Sequence, residues 1–304
     1  MSFDSLQARI RALKSPVAAE LDLRPETLPP ALLARHMDRD GETIQAAARA
    51  AEEFGRLLID GLWDAVPAVS FPVSSFELLG WRGLEVLENL ISYARDKGLF
   101  VITDAQRSGL NAAASAYSAA WLGQTQVGGA LCPVFDADCV SVNGYLGSDC
   151  LKPFLEVCVQ TGKCALVLTK TPNPSAGELE DLVSGDRLVH TVVGDLTNRL
   201  ARETAGKKYG FYALGAIVGT SYPAEMKRLR GRLDRVFFLV PCCETEENMD
   251  VARHAFDEYG RGAAVCMGRT ILDACRNLDG DFSQAAHSAA EALGRKWKEL
   301  VTIL

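Results

Sequence analysis

Polar and charged side chains stand at the ends of several short apolar segments, and their types are those used in acid–base chemistry and ion binding. Three of them are carboxylates: Glu20, Asp22 and Asp104. Alternate residues of a strand face the same side, so we expect Glu20 to lie beside Asp22, and Asp104 beside Gln106. This pattern predicts a site whose wall holds several carboxylates, which could exchange protons or bind a divalent cation through oxygen ligands.

Eight short apolar segments are the elements that must position these residues. Amphipathic stretches separate them; between residues 82 and 98, for example, Leu84, Leu87, Leu90, Ile91 and Ala94 recur at helical spacing. Because the segments are apolar almost throughout, we expect strands that are buried on both faces. Eight such parallel strands alternating with helices form a (β/α)8 TIM barrel, and a doubly wound open sheet is the alternative. The predicted strands are 16–22, 68–71, 99–105, 139–143, 164–170, 212–219, 236–241 and 263–268.

The chain of 304 residues is longer than the roughly 250 residues of a typical barrel. We therefore predict one domain over residues 1–304, with an N-terminal helix and loop insertions around 123–137 and 173–205. Barrel sites lie at the carboxyl ends of the strands, and phosphate is often bound after the last strand, which makes Arg269 the main candidate for an anion ligand. The polar residues predicted at these strand ends are Asp22, Ser70, Asp104, Gln106, Asn143, Lys170, Gly219, Thr220, Glu244, Glu246 and Arg269.

Composition excludes several classes of protein. The chain is 48% hydrophobic and 23% charged, as expected for a folded globular protein, and no apolar run approaches the roughly 20 residues that cross a bilayer. The 32 basic and 39 acidic residues give a net charge of −7. That charge argues against a nucleic-acid partner but permits a local anion site. The first residues lack the apolar stretch of a signal peptide, so we expect a cytoplasmic protein without a membrane partner.

The nine cysteines and four histidines do not follow the spacing of metal ligands. The cysteine number is odd and several cysteines lie in apolar runs, which favours buried free thiols over disulfides. The histidines are scattered along the chain. We therefore expect no Cys/His metal site.

The segments, taken in order, resemble the orotidine 5'-phosphate decarboxylase family, specifically its longer bacterial type 2 branch. The stretches SPVAAELDLRPETLPP, AVSFPVSSFELLGWRGLEVLENLI and GLFVITDAQRSGLNAAASAYSAAWLG resemble the family's first three strands with the segments that follow them. Strands four to eight correspond to VSVNGYLGSDCLKPFL, VLTKTPNPSA, IVGTSYP, LVPCCETEEN and CMGRTIL. The resemblance covers nearly the whole chain. It implies a homodimeric barrel that converts orotidine monophosphate to UMP and CO2 in pyrimidine biosynthesis, without a metal or an organic cofactor.

The resemblance also implies a Lys-Asp-Lys-Asp array, in which one aspartate crowds the substrate carboxylate and a lysine protonates C6 as CO2 leaves. This sequence departs from the array at three positions. Ser70 stands where the first lysine is expected, and Gln106 stands in place of the second. Gly109 replaces the last aspartate, which in the family reaches across the dimer interface. Only Asp104 of these four positions keeps the residue of the family.

The positions that would bind the ligand are partly retained. Asp22, Asn143, Gly219 and Arg269 match the family, and the backbone amides of Gly219 and Thr220 could join Arg269 in holding a phosphate. Pro172, by contrast, replaces a serine that reads the pyrimidine, and Glu246 replaces a glutamine that grips the phosphate. Residues 241–248 have lost the family's glycines and gained Glu244, Glu246 and Glu247, which repel an anion. A nucleoside monophosphate or another phosphate is thus one possible ligand.

Three functions remain open. The chain could be a ligand-binding or regulatory homologue whose decarboxylation is lost or severely impaired. It could instead be an enzyme with altered chemistry on a related nucleotide or sugar phosphate, with Glu20 as a new acid or base. The structural alternative for Glu20 is that it fills the space of the missing lysines and bonds Ser70 or Gln106. Finally, it could be an active decarboxylase in which Lys170 supplies the cation; Arg107 is a poorer acid, because a guanidinium hardly deprotonates.

Overall fold

The carboxyl ends of eight parallel strands meet at one end of a closed barrel. A computed structural model describes residues 2–221, 223–278 and 280–304. With the barrel strands numbered in chain order, their order around the barrel is β1-β8-β7-β6-β5-β4-β3-β2, so the predicted TIM barrel is confirmed. The strands are β1 Val17–Glu20, β2 Ala68–Pro72, β3 Phe100–Arg107, β4 Cys139–Asn143, β5 Cys164–Lys170, β6 Leu214–Val218, β7 Phe238–Val240 and β8 Ala263–Met267.

The strands are buried because both of their faces are covered, one by the barrel interior and the other by helices. Val17, Ala18 and Ala19 of β1 are fully buried, and so are Val69 and Phe71 of β2. Continuous apolar segments are typical of parallel strands in this position. The burial therefore explains why the segments stand out in the sequence.

The strand ends deviate from the predicted bounds at the carboxyl side of the barrel. β1 ends at Glu20, before Asp22, while β3 continues to Arg107. A bulge interrupts β3, since its register with β4 passes from Thr103 opposite Val140 to Arg107 opposite Val142. Within the bulge Gln106 has a φ of 49°, a left-handed conformation that non-glycine residues rarely adopt.

Helices alternate with the strands, and local capping sets several of their ends. Thr43 accepts a hydrogen bond from Ala46 N at 3.2 Å at the start of one helix, and Gly98 has a φ of 80° just after another helix. The helices are α1 Phe3–Leu13, α2 Pro30–Asp40, α3 Ile44–Leu62, α4 Val73–Glu77, α5 Gly80–Asp96, α6 Ala112–Leu122, α7 Ser148–Thr161, α8 Gly177–Glu180, α9 Val189–Ala201, α10 Pro223–Arg232, α11 Glu246–Ala252, α12 Arg269–Arg276 and α13 Phe282–Leu300.

The two predicted insertions are more ordered than loops. The first contains a hairpin of Thr125–Val127 and Ala130–Cys132. The second contains a short hairpin of Val183–Ser184 and Arg187–Leu188, and also α8 and α9. Because α9 is the helix that links β5 to β6, only the part before it is an addition to the barrel.

The N-terminal helix α1 packs against the amino end of the barrel. Phe3 stacks on Phe237 with ring centroids 4.9 Å apart. Asp4 accepts hydrogen bonds from the backbone N–H groups of Lys208 at 2.7 Å and Tyr209 at 3.0 Å. These contacts fix the end of the barrel opposite the predicted site. Within the described ranges, no helix combines the length and the apolar character needed to span a membrane.

Candidate functional site

Two adjoining cavities open at the carboxyl end of the barrel. The central chamber, of about 540 Å³, is lined by residues that lie on or follow β1, β2, β3, β5, β6, β7 and β8. The side chamber, of about 520 Å³, is lined by residues of the β1, β7 and β8 side. Glu20, Cys242, Asn248 and Cys266 line both. The two chambers therefore form one ligand-sized site at the place where barrels carry their function.

The central chamber brings together six of the residues that the sequence analysis singled out. Leu168, Ile217 and Leu239 give its wall an apolar part, and most of the other lining residues are polar. The predicted residues in its wall are Glu20, Ser70, Asp104, Gln106, Pro172 and Thr220.

The side chamber brings together acids and arginines. Asp22 and Arg269, both predicted, line it with Glu20. It also contains Glu244, which the sequence places at a strand end, and three charged residues outside the predicted set: Arg24, Asp273 and Arg276.

Asp104 is held by the strand next to its own. Ser141 Oγ donates to Asp104 Oδ1 at 2.6 Å and accepts from the backbone N–H of Gln106 at 2.8 Å. Gln106 Nε2 donates to Asp104 Oδ2 at 3.3 Å. The side chains of Asp104 and Gln106 thus lie together as predicted, and the bulge in β3 allows this contact. The side chains that bond Asp104 are thus a hydroxyl and an amide.

Asp22 forms a two-pronged ion pair with Arg24. The guanidinium donates to both carboxylate oxygens at 2.8 to 3.0 Å, and Ser75 Oγ donates to Asp22 Oδ1 at 2.6 Å. Burial alone would raise the pKa of Asp22, but the bonds from Arg24 and Ser75 lower it overall. Asp22 is therefore a fixed anion rather than a proton donor at neutral pH.

Glu20 is in the opposite electrostatic situation. Its side chain accepts a hydrogen bond from the thiol of Cys266 at 3.3 Å. Burial raises the pKa of Glu20, and the nearby carboxylates of Asp104, Asp22 and Glu244 raise it further, although the Cys266 bond acts against this. Burial also raises the pKa of Cys266 well above its usual value. The thiol therefore stays protonated, and its S–H group donates the hydrogen bond to Glu20. A carboxyl with a raised pKa beside a fixed carboxylate is an arrangement suited to acid–base chemistry.

The partner of Glu20 differs from the structural alternative that the sequence suggested. In the described part of the chain, neither Ser70 nor Gln106 hydrogen-bonds its carboxylate. Glu20 and Ser70 are nevertheless opposite each other in the pairing of β1 with β2, and both line the central chamber. Glu20 thus extends into the space beside the missing first lysine, with its hydrogen bond directed to β8.

Five predicted residues do not line either chamber. Gly219 packs directly on Pro172, since a Cβ atom there would lie 2.8 Å from the proline nitrogen. Gly109 lies in the loop after β3, and Glu246 is exposed on the first turn of α11. Asn143 accepts from Tyr145 N at 2.9 Å and lines a separate depression of about 270 Å³. Their roles in binding stay predictions.

Lys170, the fifth, is buried in an ion cluster under the insertion that follows β5. Its ammonium lies 2.6 Å from Asp181 Oδ1 and 3.5 Å from Glu180 Oε2. Burial alone would lower the pKa of Lys170, but Asp181, with Glu180 and Glu225, raises it overall. The charge of this lysine therefore serves contacts outside the two chambers.

The same cluster is the one place in the described ranges where metal-ligand atoms converge. Asp181, His190 and Glu225 each offer an atom, and these atoms lie within 4.8 Å of one another. Lys170 is the nearest cation to Asp181, and a fixed ammonium disfavours a second cation at that carboxylate. Glu20, Asp22 and Asp104 do not form such a group, which argues against the divalent-cation site considered from the sequence.

Several residues that line the chambers or hydrogen-bond their lining residues were missed from sequence because the signal for them is weak. Ser141 and Cys266 are single residues inside apolar strands, where serine and cysteine commonly only fill space. Cys242 lies between the two chambers with a φ of 59°, and burial, together with Glu20 and Glu244, raises its pKa. Arg24 could have been found from its distance of two residues from Asp22, which keeps both on one side of an extended segment.

Comparison with known proteins gives consistent relatives. No family model matches the sequence. The chain is 32% identical over 292 residues to the orotidine 5'-phosphate decarboxylase of Caldicellulosiruptor saccharolyticus, which covers 95% of each protein. It is 33% identical over 282 residues to that of Rhodopirellula baltica, covering 92% of this chain and 90% of the relative. The solved structure of Leishmania donovani OMP decarboxylase shares the fold, with a TM-score of 0.72, 24% identity and 99% of each chain covered.

Proposed function

Because the chain belongs to the orotidine 5'-phosphate decarboxylase family, we propose that it is a member that binds a small molecule at the barrel mouth but has lost the family's decarboxylation. The bound ligand would act as a signal or be held for another protein. The size of the two chambers suits a molecule as large as a nucleoside. The proposal places the ligand against Glu20, Asp104, Gln106 and Thr220, with Arg269 at the side.

One observation carries this proposal. Of the described residues that line the two chambers, none is a lysine, and the cations are Arg24, Arg269 and Arg276, all in the side chamber. The central chamber instead holds the carboxylates Glu20 and Asp104. Decarboxylation leaves a carbanion, which needs a fixed positive charge and a proton donor. A chamber with two carboxylates and no ammonium group offers no positive charge to stabilise the carbanion. It also lacks the lysine that protonates the carbanion in the family.

Lys170 is a poor substitute for the missing lysine. Its ammonium is held by Asp181 at 2.6 Å, and Glu180 fixes the backbone next to it by accepting from Thr171 N at 3.0 Å. Moving Lys170 into the chamber would leave Asp181 without this partner. Breaking an ion pair whose ammonium is buried is costly, so an active decarboxylase that uses Lys170 as its cation is the weaker proposal.

The experiment is turnover of orotidine monophosphate by the purified protein at high enzyme concentration, followed by ultraviolet absorbance. Losing a general acid costs about 10²–10⁴ in rate, and losing an oriented electrostatic donor costs about 10²–10³. These effects do not simply add. We therefore expect kcat/KM more than about 10²-fold below that of an intact enzyme, which is the smallest loss that removal of the acid alone predicts.

The matched control is the Caldicellulosiruptor saccharolyticus relative, assayed in the same buffer. Turnover by this chain within about a hundredfold of the control would overturn the proposal, since one lost acid alone should cost that much. Turnover that disappears in Lys170→Met would then assign the cation to Lys170.

A second function is favoured by the contrast between Glu20 and Asp22. One carboxyl has a raised pKa and the other a lowered pKa, which is the pattern of an acid–base pair. In this version the chain acts on a related nucleotide or sugar phosphate with Glu20 as proton donor. Turnover of such a substrate that is lost in Glu20→Gln but kept in Ser70→Ala would support it.

Homodimerisation and a single-domain organisation are also part of the proposal. Contacts between the two ends of the chain support one domain over residues 1–304: Lys14 Nζ donates to the backbone oxygen of Ile303 at 2.6 Å, and α13 packs along α3, where Ser283 Oγ donates to Leu57 O at 2.8 Å. Exposed apolar side chains near the barrel mouth support a dimer.

A further inference from the structure

The carboxylate of Glu244 occupies the start of α12. Its Oε1 accepts from the backbone N–H groups of Gly268 at 2.7 Å and Arg269 at 2.9 Å. Its Oε2 accepts from the hydroxyl of Thr270 at 2.6 Å and from Thr270 N at 3.4 Å. We call these donors the α12 cradle. Glu244 follows β7 and so reaches the cradle from a neighbouring strand.

The α12 cradle lies where an anion is best stabilised in this fold. The N–H groups at a helix start have no partner within the helix and attract negative charge. In barrels, the loops after the seventh and eighth strands and a nearby helix start are the usual phosphate site. Arg269 lines the same chamber. The donors for a phosphate are therefore present, but a carboxylate of the chain already uses them.

A phosphate entering the side chamber would meet two obstacles. It would have to displace Glu244 from four hydrogen bonds, two of which are at or below 2.7 Å. It would also face Glu20, Asp22 and Asp273 in the same wall. Asp22 is neutralised by Arg24, yet the displaced Glu244 adds a charge of the same sign as the phosphate.

We infer that Glu244 determines the specificity of the site by excluding phosphate groups, so that the ligand is a phosphate-free molecule of about nucleoside size. The inference rests on the proposed function, because it takes the two chambers as the ligand site. Glu244 then replaces, from within the chain, the negative charge that a phosphorylated ligand would bring. The ligand is held through Glu20, Asp104 and the central chamber, without a phosphate anchor.

The test is titration calorimetry with inorganic phosphate and with ribose 5-phosphate on the full chain. We expect no measurable binding to the wild type. Glu244→Ala empties the α12 cradle and should bind both compounds. We expect its affinity to be at least about tenfold above the weakest affinity that the titration of the wild type could detect, because hydrogen bonds to charged groups are strong. Glu244→Gln removes the charge but still fills the cradle, so it should gain much less than Glu244→Ala.

The matched control is Glu247→Ala, which removes an equal charge from the exposed first turn of α11 and should bind phosphate no better than the wild type. Circular dichroism checks that the variants fold, and Glu244→Ser, which keeps a small polar group at the cradle, replaces Glu244→Ala if the latter does not. Adding Arg269→Gln to the variant that gains binding should reduce the gain.

Two results would overturn the inference. One is binding of inorganic phosphate to the wild type as tight as to Glu244→Ala, and the other is a folded Glu244→Ala and Glu244→Ser pair that gains no binding. Neither result involves turnover of orotidine monophosphate, which tests the proposed function separately. A wild type that binds phosphate without decarboxylating would refute the role of Glu244 and leave the proposed function standing.

Discussion

At the scale of single residues, Glu20 is the side chain most at odds with its surroundings. Its carboxyl group is largely buried and lies near the carboxylates of Asp22, Asp104 and Glu244. Burial of a carboxylate next to others disfavours its charged form. The folded protein therefore holds the Glu20 proton more readily than the unfolded chain, and the charge costs stability at neutral pH.

This residue makes the first prediction: Glu20→Gln should be more stable than the wild type near neutral pH. Because the pKa of Glu20 is raised in the folded state, wild-type stability should fall as pH rises from the usual glutamate value of 4.5 through the folded pKa. A glutamine has no such dependence. We expect the melting temperature of Glu20→Gln to exceed that of the wild type by about 2–4 °C at neutral pH, and the gain to shrink towards acid pH.

The measurement is a series of thermal melts from about pH 4 to about pH 8, around the usual glutamate pKa. Glu258→Gln, which removes an exposed acid from a turn before β8, is the control and should follow the wild type. A difference in melting temperature between Glu20→Gln and the wild type that stays constant over the whole pH range would show that Glu20 carries no buried charge.

The sequence predicted which positions would carry charge, but not how each charge is balanced. Glu20, Asp22 and Asp104 were placed in one wall by strand alternation alone, and all three line the chambers. Arg24 is only two residues from its partner Asp22, whereas Cys266 and Ser141 reach Glu20 and Asp104 from other strands. Such contacts depend on the register between strands, which a single sequence does not contain.

At the scale of elements, the ends of β5 and β6 are packed too closely for an added side chain. The backbone N–H of Gly219 donates to Lys170 O at 2.7 Å, and Gly219 lies against the ring of Pro172. Pro172 and Thr220 in turn line the central chamber. The distance between these two loops therefore helps to set the width of the chamber.

The second prediction follows: Gly219→Ala should destabilise the protein and disturb the chamber. A Cβ atom would lie 2.8 Å from the nitrogen of Pro172, and such overpacking costs about 1–3 kcal/mol. Chemical denaturation measures the loss. Gly231→Ala in α10, where an added Cβ meets nothing within 4 Å, is the control and should be neutral or slightly stabilising. Equal stability of both variants would contradict the prediction.

Element order was readable from sequence, whereas the exact strand ends were not. β4 and β5 match their predicted bounds, and α5 ends just before Gly98 as predicted. The bulge in β3 and the left-handed Gln106 were missed, because an extra residue in a strand leaves the apolar pattern of its centre unchanged. α9 was not predicted, because it lies within residues 173–205, which the sequence analysis assigns to a loop insertion.

At the scale of the whole molecule, exposed apolar side chains gather after the ends of neighbouring strands. Leu110 follows β3 and is 52% exposed, and Tyr145 follows β4 and is 72% exposed. Val183, in the insertion after β5, is 70% exposed. All three follow the carboxyl ends of adjacent strands, so they lie on the side of the barrel mouth. Apolar groups exposed together in this way are typical of interfaces.

The third prediction is that the protein is a dimer through this surface. Light scattering should give twice the chain mass of 32.8 kDa. Tyr145→Asp adds a charge at the surface and should produce monomers, because an unpaired charge buried in an interface is costly. Tyr259→Asp makes the same change before β8, at the opposite end of the barrel, and should remain a dimer. A monomeric wild type, or equal behaviour of the two variants, would contradict this interface.

Because Glu244 fills the start of α12, the occupancy of this helix start does not depend on the concentration of metabolites in the cell. A ligand tied to the same chain acts at an effective concentration that reaches the millimolar range or more, and a diffusing competitor has to exceed it. A barrel with an open α12 cradle would become more stable whenever cellular phosphate rose, because bound ligand favours the folded form. Here the group that fills the helix start, the Glu244 carboxylate, is part of the chain. The helix start therefore stays filled at low and at high phosphate concentration.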